Sequence, residues 1–147
     1  MVENISGPIQ YLTFAINDGD YGVETAHVIE IIKMQPITKV PEMPNFIEGL
    51  IHLRGQIIGV LDLRKRFDMP AKAYDEQTCI ILIAWGEYTL GMIVDAVRET
   101  IHIDKACIVP LPNTKLNDSN KFIRNVGNMG EGNVKLLIDV ERLLPQD

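Results

Sequence analysis

At 147 residues the chain is long enough for one ordinary domain, or for two very small ones that share a core. Hydrophobic residues at 46% and charged residues at 23% are the composition of a folded protein and exclude disorder. Fourteen Lys and Arg against twenty Asp and Glu leave a net charge of −6 and no basic patch, which makes nucleic acid a poor partner. The start, Met1–Pro8, has no basic segment followed by an apolar run, so it does not read as a signal peptide. The longest apolar runs, Cys79–Trp85 and Leu90–Val94, fall far short of the roughly 20 residues that span a bilayer. The expectation is a soluble, intracellular protein with no membrane insertion.

In chain order the reading is dominated by short strands. Ile9–Asn17 is rich in branched and aromatic residues, Asp18-Gly19 is a hairpin signal, and Tyr21-Gly22-Val23 begins the return. Thr25–Lys33 reads as a short helical turn running into a strand, and Pro36, Pro41 and Pro44 make Gln35–Asn45 an extended loop. The run from Leu50 to Arg64 then places two apolar segments on either side of Arg54-Gly55, a hairpin turned where glycine supplies positive φ. Asp62–Asp68 predicts a short amphipathic helix, with Arg64-Lys65-Arg66 beside Asp62 and Asp68 as its solvated face.

Met69–Gln77 is polar and irregular and is the expected junction between two units. Thr78–Ala84 and Thr89–Val97 form a hairpin through Gly86-Glu87, and Glu99–Ile103 adds a strand. Pro110–Pro112 and the polar Asn113–Asn120 make a second loop. Phe122–Met129 and Asn133–Asp139 form a last hairpin around Gly130–Gly132, and Val140–Leu144 is a terminal helical turn. Each half thus has about five short strands, the pattern of small barrels or sandwiches, and no sequence repeat is visible.

Catalytic signals are weak. His27, His52 and His102 are scattered, and Ser6 and Ser119 sit in polar surroundings without a nucleophile elbow. Gly127–Gly132 lacks the lysine and helix of a phosphate loop. Cys79 and Cys107 stand in apolar settings and read as buried thiols rather than a disulfide or metal site. No metal and no cofactor is implied. Recognition is better supported. If Thr25–Lys33 packs against the central hairpin, Glu30 is a natural counter-ion for Arg54; the sequence leaves open whether they pair or both face water. Val28, Ile31, Ile57, Ile93 and Val97 could line a groove between two small barrels, although each is also a reasonable core residue.

Several segments, in order, resemble one family. Val28-Ile29-Glu30-Ile31, Phe46–Gly49 before Leu53-Arg54-Gly55, and Leu61-Asp62-Leu63-Arg64 resemble the first half of the CheW family of chemotaxis coupling proteins. Leu90–Val97, Val126-Gly127 and Leu136–Leu144 resemble its second half, with His52 standing where the family more usually has asparagine. The resemblance covers nearly the whole chain. It implies a mostly β fold of two intertwined five-stranded SH3-like β-barrels with short helical turns, one CheW-like domain over 10–147. The first barrel would cover about 15–76 and the second about 77–144, with a contribution from 9–14. It further implies a non-enzymatic cytoplasmic adaptor that couples the hairpin tip of a chemoreceptor to the regulatory domain of a CheA-type histidine kinase. The contact residues would be Val28, Glu30, Ile31, Arg54, Ile57, Ile93 and Val97, with Glu30–Arg54 as a salt bridge. An adaptor of a non-flagellar, type IV pilus-like array and a small-molecule-binding double barrel are the alternatives.

Overall fold

A computed structural model of the chain describes residues 7–111 and 120–144. The expected polar loop at Asn113–Asn120, together with Ser6 and Ser119, falls almost wholly outside these residues. Strands β1 (Ile9–Ile16) and β2 (Gly19–Glu24) form the first hairpin, and a single 3-10 turn at Thr25–His27 leads into β3 (Val28–Lys33). The proline-rich segment carries one isolated bridge, Thr38 to Leu50. Strands β4 (Ile47–Leu53) and β5 (Gln56–Asp62) meet at Arg54-Gly55. Both turn residues are left-handed, with φ of 50° and 82°, the two-residue geometry whose twist matches that of the strands. Arg54 therefore occupies a backbone region that glycine prefers.

One helical turn, α1 (Leu63–Arg66), follows β5 and is capped by the Asp62 carboxylate, which accepts from the Arg64 amide at 2.8 Å. The remaining elements are β6 (Cys79–Trp85), β7 (Tyr88–Val94), β8 (Ala96–Ile103), β9 (Ile108–Pro110), β10 (Ile123–Asn128), β11 (Val134–Ile138) and α2 (Val140–Leu143). The expected strand Thr89–Val97 is broken at Asp95, because β7 and β8 belong to different sheets.

The sheets run β3-β6-β7-β5-β4 and β8-β1-β2-β11-β10-β9. The second has six strands rather than five, the sixth being the short β9. Sheet membership does not follow the expected division near residues 76 and 77. Met69–Gln77 connects α1 to β6 within one sheet, while the entire β1–β2 hairpin, not only residues 9–14, lies with the C-terminal strands. The cause is two parallel pairings, β5 with β7 and β2 with β11, between strands whose partners are far away in sequence and leave no local signal.

These pairings also reveal a repeat that the sequence hides. Taking β1, β2, β3, β4, β5 and α1 to correspond to β6, β7, β8, β10, β11 and α2 turns one sheet order into the other. The amide of Asp62 donates to the Phe46 carbonyl at 2.9 Å, and that of Asp139 to the Phe122 carbonyl at 2.8 Å. Asp139 caps α2 as Asp62 caps α1. Gly22 and Gly91 occupy equivalent places at the parallel contacts, paired with Leu137 and Val60. Few side chains coincide beyond these, so the duplication is structural rather than textual.

Three clusters form the interior. Between the sheets, Phe14, Tyr21, Phe67 and Phe122 make a continuous run of rings with centroids 5.4 to 5.9 Å apart. Ile51, Ile58, Val60, Ile80, Leu82 and Ile93 fill the curl of the five-stranded sheet, and Tyr11, Ile103 and Leu137 that of the other.

A Cβ at position 91 would lie 2.7 Å from Val60 Cγ1 and 2.8 Å from Ile80 Cγ2, whereas one at position 59 meets nothing within 4 Å. Gly91→Ala should therefore lose about 1–3 kcal/mol in urea melts. Gly59→Ala should stay within about 0.5 kcal/mol of the parent.

Candidate functional site: the joined edges of the five-stranded sheet

Strands β3 and β4 are the two edges of the five-stranded sheet. The guanidinium of Arg54, at the β4–β5 turn, donates to the Glu30 carboxylate on β3, so the pair spans from one edge to the other. The paired amides and carbonyls of Thr38 and Leu50, at 2.8 and 2.9 Å, tie the proline-rich segment that follows β3 to β4. The sheet is thereby curled on itself, and its inner cluster is shut off from water by Ile32, Met34, Ile37 and Leu53.

Strand β3 is branched and apolar along almost its whole length, and its register shifts between Val28 and Glu30. Val28 packs toward the core between the sheets and Ile32 toward the inner cluster, Glu30 is half-buried, and Ile29 and Ile31 keep 50% and 44% of their surface exposed. Ile57, just past the Arg54 turn, is 63% exposed. A half-open pocket of about 300 Å³ beside the ion pair is lined by Glu30, Arg54, Leu53, Gln56, Ile58 and Thr89. Apolar side chains gathered around an oriented, accessible ion pair are the features of a protein-binding surface.

The structure thus pairs Glu30 with Arg54 beside one pocket and adds Ile29 to its lining, a residue that sequence reasoning did not single out, while Ile31 and Ile57 are exposed on β3 and β5 outside that lining. Val28 and Val97 lie elsewhere, half-buried against the core between the sheets. They are equivalent positions in the two halves, at the start of β3 and near the start of β8. Ile93 is not a contact residue. It is 3% exposed inside the curl, because β7 is the middle strand of its sheet and both of its faces are covered.

A model of the CheW-like domain matches residues 10–147. The chain belongs to the CheW-like family. It is 30% identical over 138 residues to the chemotaxis protein CheW of Klebsiella aerogenes, covering 94% of this chain and 82% of that one. It is 29% identical to CheW of Bacillus subtilis over 147 residues, covering 100% and 94%. The crystal structure of the scaffolding protein TtCheW from Thermoanaerobacter tengcongensis has a TM-score of 0.84 to it at 35% identity, covering 92% of each chain. Membership carries the family's role, a scaffold in chemotaxis signalling.

Within this CheW-like frame the expected solvated face at Arg64-Lys65-Arg66 proves to be three anchors. Arg64 grips Asp95 through two parallel bonds, Nε to Oδ1 at 2.9 Å and Nη2 to Oδ2 at 2.7 Å, and donates from Nη1 to the Pro70 carbonyl at 2.9 Å. Asp95 Oδ2 also accepts from the Asn17 amide at 2.8 Å, across to the β1–β2 turn. Lys65 reaches the buried Glu48, which Lys39 approaches at 3.4 Å. Arg66 lies over the rings of Phe46 and Phe122, 3.9 and 4.7 Å from their centroids, and donates to carbonyls at the end of α2. A basic run is legible as an anchor only if its acids are known to be near, and Glu48 and Asp95 are distant in sequence. The available signal was a single aspartate in the apolar run Val94-Asp95-Ala96-Val97.

The histidines remain apart: His27 packs on Trp85 with centroids 5.0 Å apart, and His52 and His102 face solvent on separate sheets. Cys79 and Cys107 are free thiols, half-buried rather than fully enclosed. Among the described residues no three His, Cys, Asp or Glu side chains gather to hold a metal ion.

Burial pushes the carboxyl of Glu48 up, but the Lys65 and Lys39 ammonium groups outweigh it and hold it below its ordinary value. Asp95 is likewise depressed, its burial more than offset by Arg64 and the Asn17 amide. Groups depressed in the folded state contribute stability above their unfolded values near pH 4, and that contribution is lost as the pH falls through the folded ones. Urea melts should show stability declining between about pH 5 and pH 2. Glu48→Gln should lose about 1–3 kcal/mol at neutral pH, and its decline on acidification should be shallower than the parent's.

Proposed function

We propose that the chain couples the cytoplasmic hairpin tip of a chemoreceptor to the regulatory domain of a CheA-type histidine kinase, in the cytoplasm and without chemistry of its own. The kinase domain binds the exposed isoleucines Ile29, Ile31 and Ile57, with the Glu30–Arg54 pair fixing its orientation. The receptor hairpin lies where Val28 and Val97 emerge at the margin of the core between the sheets, an amphipathic helix presenting apolar anchors to a groove. The observation that carries this reading is the set of exposed isoleucines on β3 and β5, the strands beside which the Glu30–Arg54 pair lies. Among the described residues no helix is long and apolar enough to cross a membrane, which fits a protein reaching the membrane through its partners.

The Glu30–Arg54 side chains are 36% and 62% exposed. A pair so open to water contributes at most about 1 kcal/mol to stability, so it serves recognition more than folding. Calorimetric titration with a kinase regulatory domain tests this directly. Ile57→Asp should weaken binding by at least about tenfold with its melt unchanged. Arg54→Ala should weaken it less, and Arg54→Glu more than Arg54→Ala, because the new carboxylate repels Glu30. Parent-like affinity in all three variants would remove this surface from the interface.

A further inference from the structure

The chain passes between its two sheets twice, from β2 to β3 through the 3-10 turn at Thr25–His27 and from β7 to β8 at Asp95. The two passages are equivalent in the duplicated architecture: counting four residues on from Gly22 and from Gly91 gives Ala26 and Asp95, and two residues on from the capping aspartates gives Glu141 and Arg64. Among the described residues, the positions equivalent to Arg64 and Asp95 therefore form no ion pair at the first passage, where Glu24 and His27 approach at 3.8 Å within the turn itself. An alanine at the other cannot form one, yet the same strands pack there. The architecture does not itself demand the clasp.

The clasp is built for rigidity. Its side chains are only 11% and 17% exposed, the guanidinium and carboxylate meet edge to edge, and each carries further bonds to a different part of the chain. Arg64 belongs to the helical turn after the five-stranded sheet and also holds the Pro70 carbonyl. Asp95 binds the Asn17 amide through its side chain and the Ala15 carbonyl through its own amide at 3.1 Å, both in the other sheet. Any rotation of one sheet against the other must break this set. An ammonium group could supply the charge but not the two-pronged geometry.

We propose that Arg64 and Asp95 are positioning residues for coupling: they fix the angle between the two sheets, and that angle lets two partners be held at once. This rests on the two-partner reading above. One partner lies on the five-stranded sheet and the other at its boundary with the six-stranded one, so loosening the angle uncouples them without spoiling the first surface.

The test uses the full chain carrying Asp95→Asn, Arg64→Lys as a milder second variant, and the exchanged pair Arg64→Asp with Asp95→Arg. Spin labels at Glu87→Cys, exposed in the β6–β7 turn, and Thr100→Cys, exposed on β8, are placed after Cys79→Ser and Cys107→Ser and report the inter-sheet distance. Asp95→Asn should broaden that distance distribution and leave the affinity for a kinase regulatory domain alone within twofold. Receptor-dependent stimulation of the kinase should fall at least tenfold, and the exchanged pair should recover part of both. An unchanged distance distribution, or full stimulation despite a broadened one, overturns the proposal. So does a loss of single-partner affinity as large as the loss of stimulation, since that marks a merely structural role. If the parent chain binds neither partner, the coupling reading fails first and takes this role with it, while the distance measurement still decides whether the clasp sets the angle.

Discussion

The pairing of β5 with β7 and of β2 with β11 is the constraint on which the rest of the molecule depends. Each half of the chain places its leading hairpin among the other half's strands. Neither sheet is complete without strands from both halves. The inner clusters are mixed for the same reason: Ile51, Ile58 and Val60 come from one half, and Ile80, Leu82 and Ile93 from the other. Both contacts carry a glycine where a side chain would crowd its neighbours: a Cβ at position 91 would lie 2.7 Å from Val60 and 2.8 Å from Ile80, and one at position 22 would lie 3.0 Å from Leu137. Such an arrangement couples the stability of the two sheets, because unfolding either one exposes apolar surface belonging to both.

Among the described residues the chain passes between the sheets at two places, and the molecule treats them differently. At one, a 3-10 turn is flanked by His27 against Trp85; at the other, Asp95 is held by Arg64 and Asn17. The aromatic run from Phe14 to Phe122 fills the space between the sheets, and Arg66 over Phe46 and Phe122 fastens the end of α2 to it. The interior is thus sealed by apolar packing. The enclosed ion pairs sit at its margin, where Arg64–Asp95 and Lys65–Glu48 join separate elements. That division suits their energetics, since apolar burial is non-directional and a two-pronged ion pair is not.

Local features of this fold were legible from residues, and relations between distant ones were not. The hairpins at Asp18-Gly19, Arg54-Gly55, Gly86-Glu87 and Gly130–Gly132 follow from turn chemistry, as do the helical turns after Asp62 and Asp139. Sheet membership depends on which strands pair in parallel, and nothing in a strand's own pattern names its partner, so the division at Met69–Gln77 was misplaced. Ile93 was misjudged by the same route: alternation shows which residues share a face, but not that β7 is covered on both. The ordered family resemblance supplied Glu30 with Arg54, which composition alone left open. It did not supply Ile29, whose exposure depends on β3 being an edge strand with one face left over.

A scaffold has no transition state to stabilise, so its selectivity must come from how rigidly it presents surfaces and how unequally those surfaces meet the states of its partners. In the proposed reading the two principal ion pairs divide this work by depth. Glu30–Arg54 is open to water, so it adds little to folding and remains available to an arriving domain at small desolvation cost. Arg64–Asp95 is largely enclosed, where the same kind of contact is directional and poorly screened by salt. Exchanging these depths would fail on both counts. A buried recognition pair would be inaccessible, and an exposed clasp would let the sheets move against each other as easily with the wrong partner as with the right one. The distribution of charge by depth matches what the proposed function requires: a surface that can be engaged reversibly, on a frame that transmits the engagement.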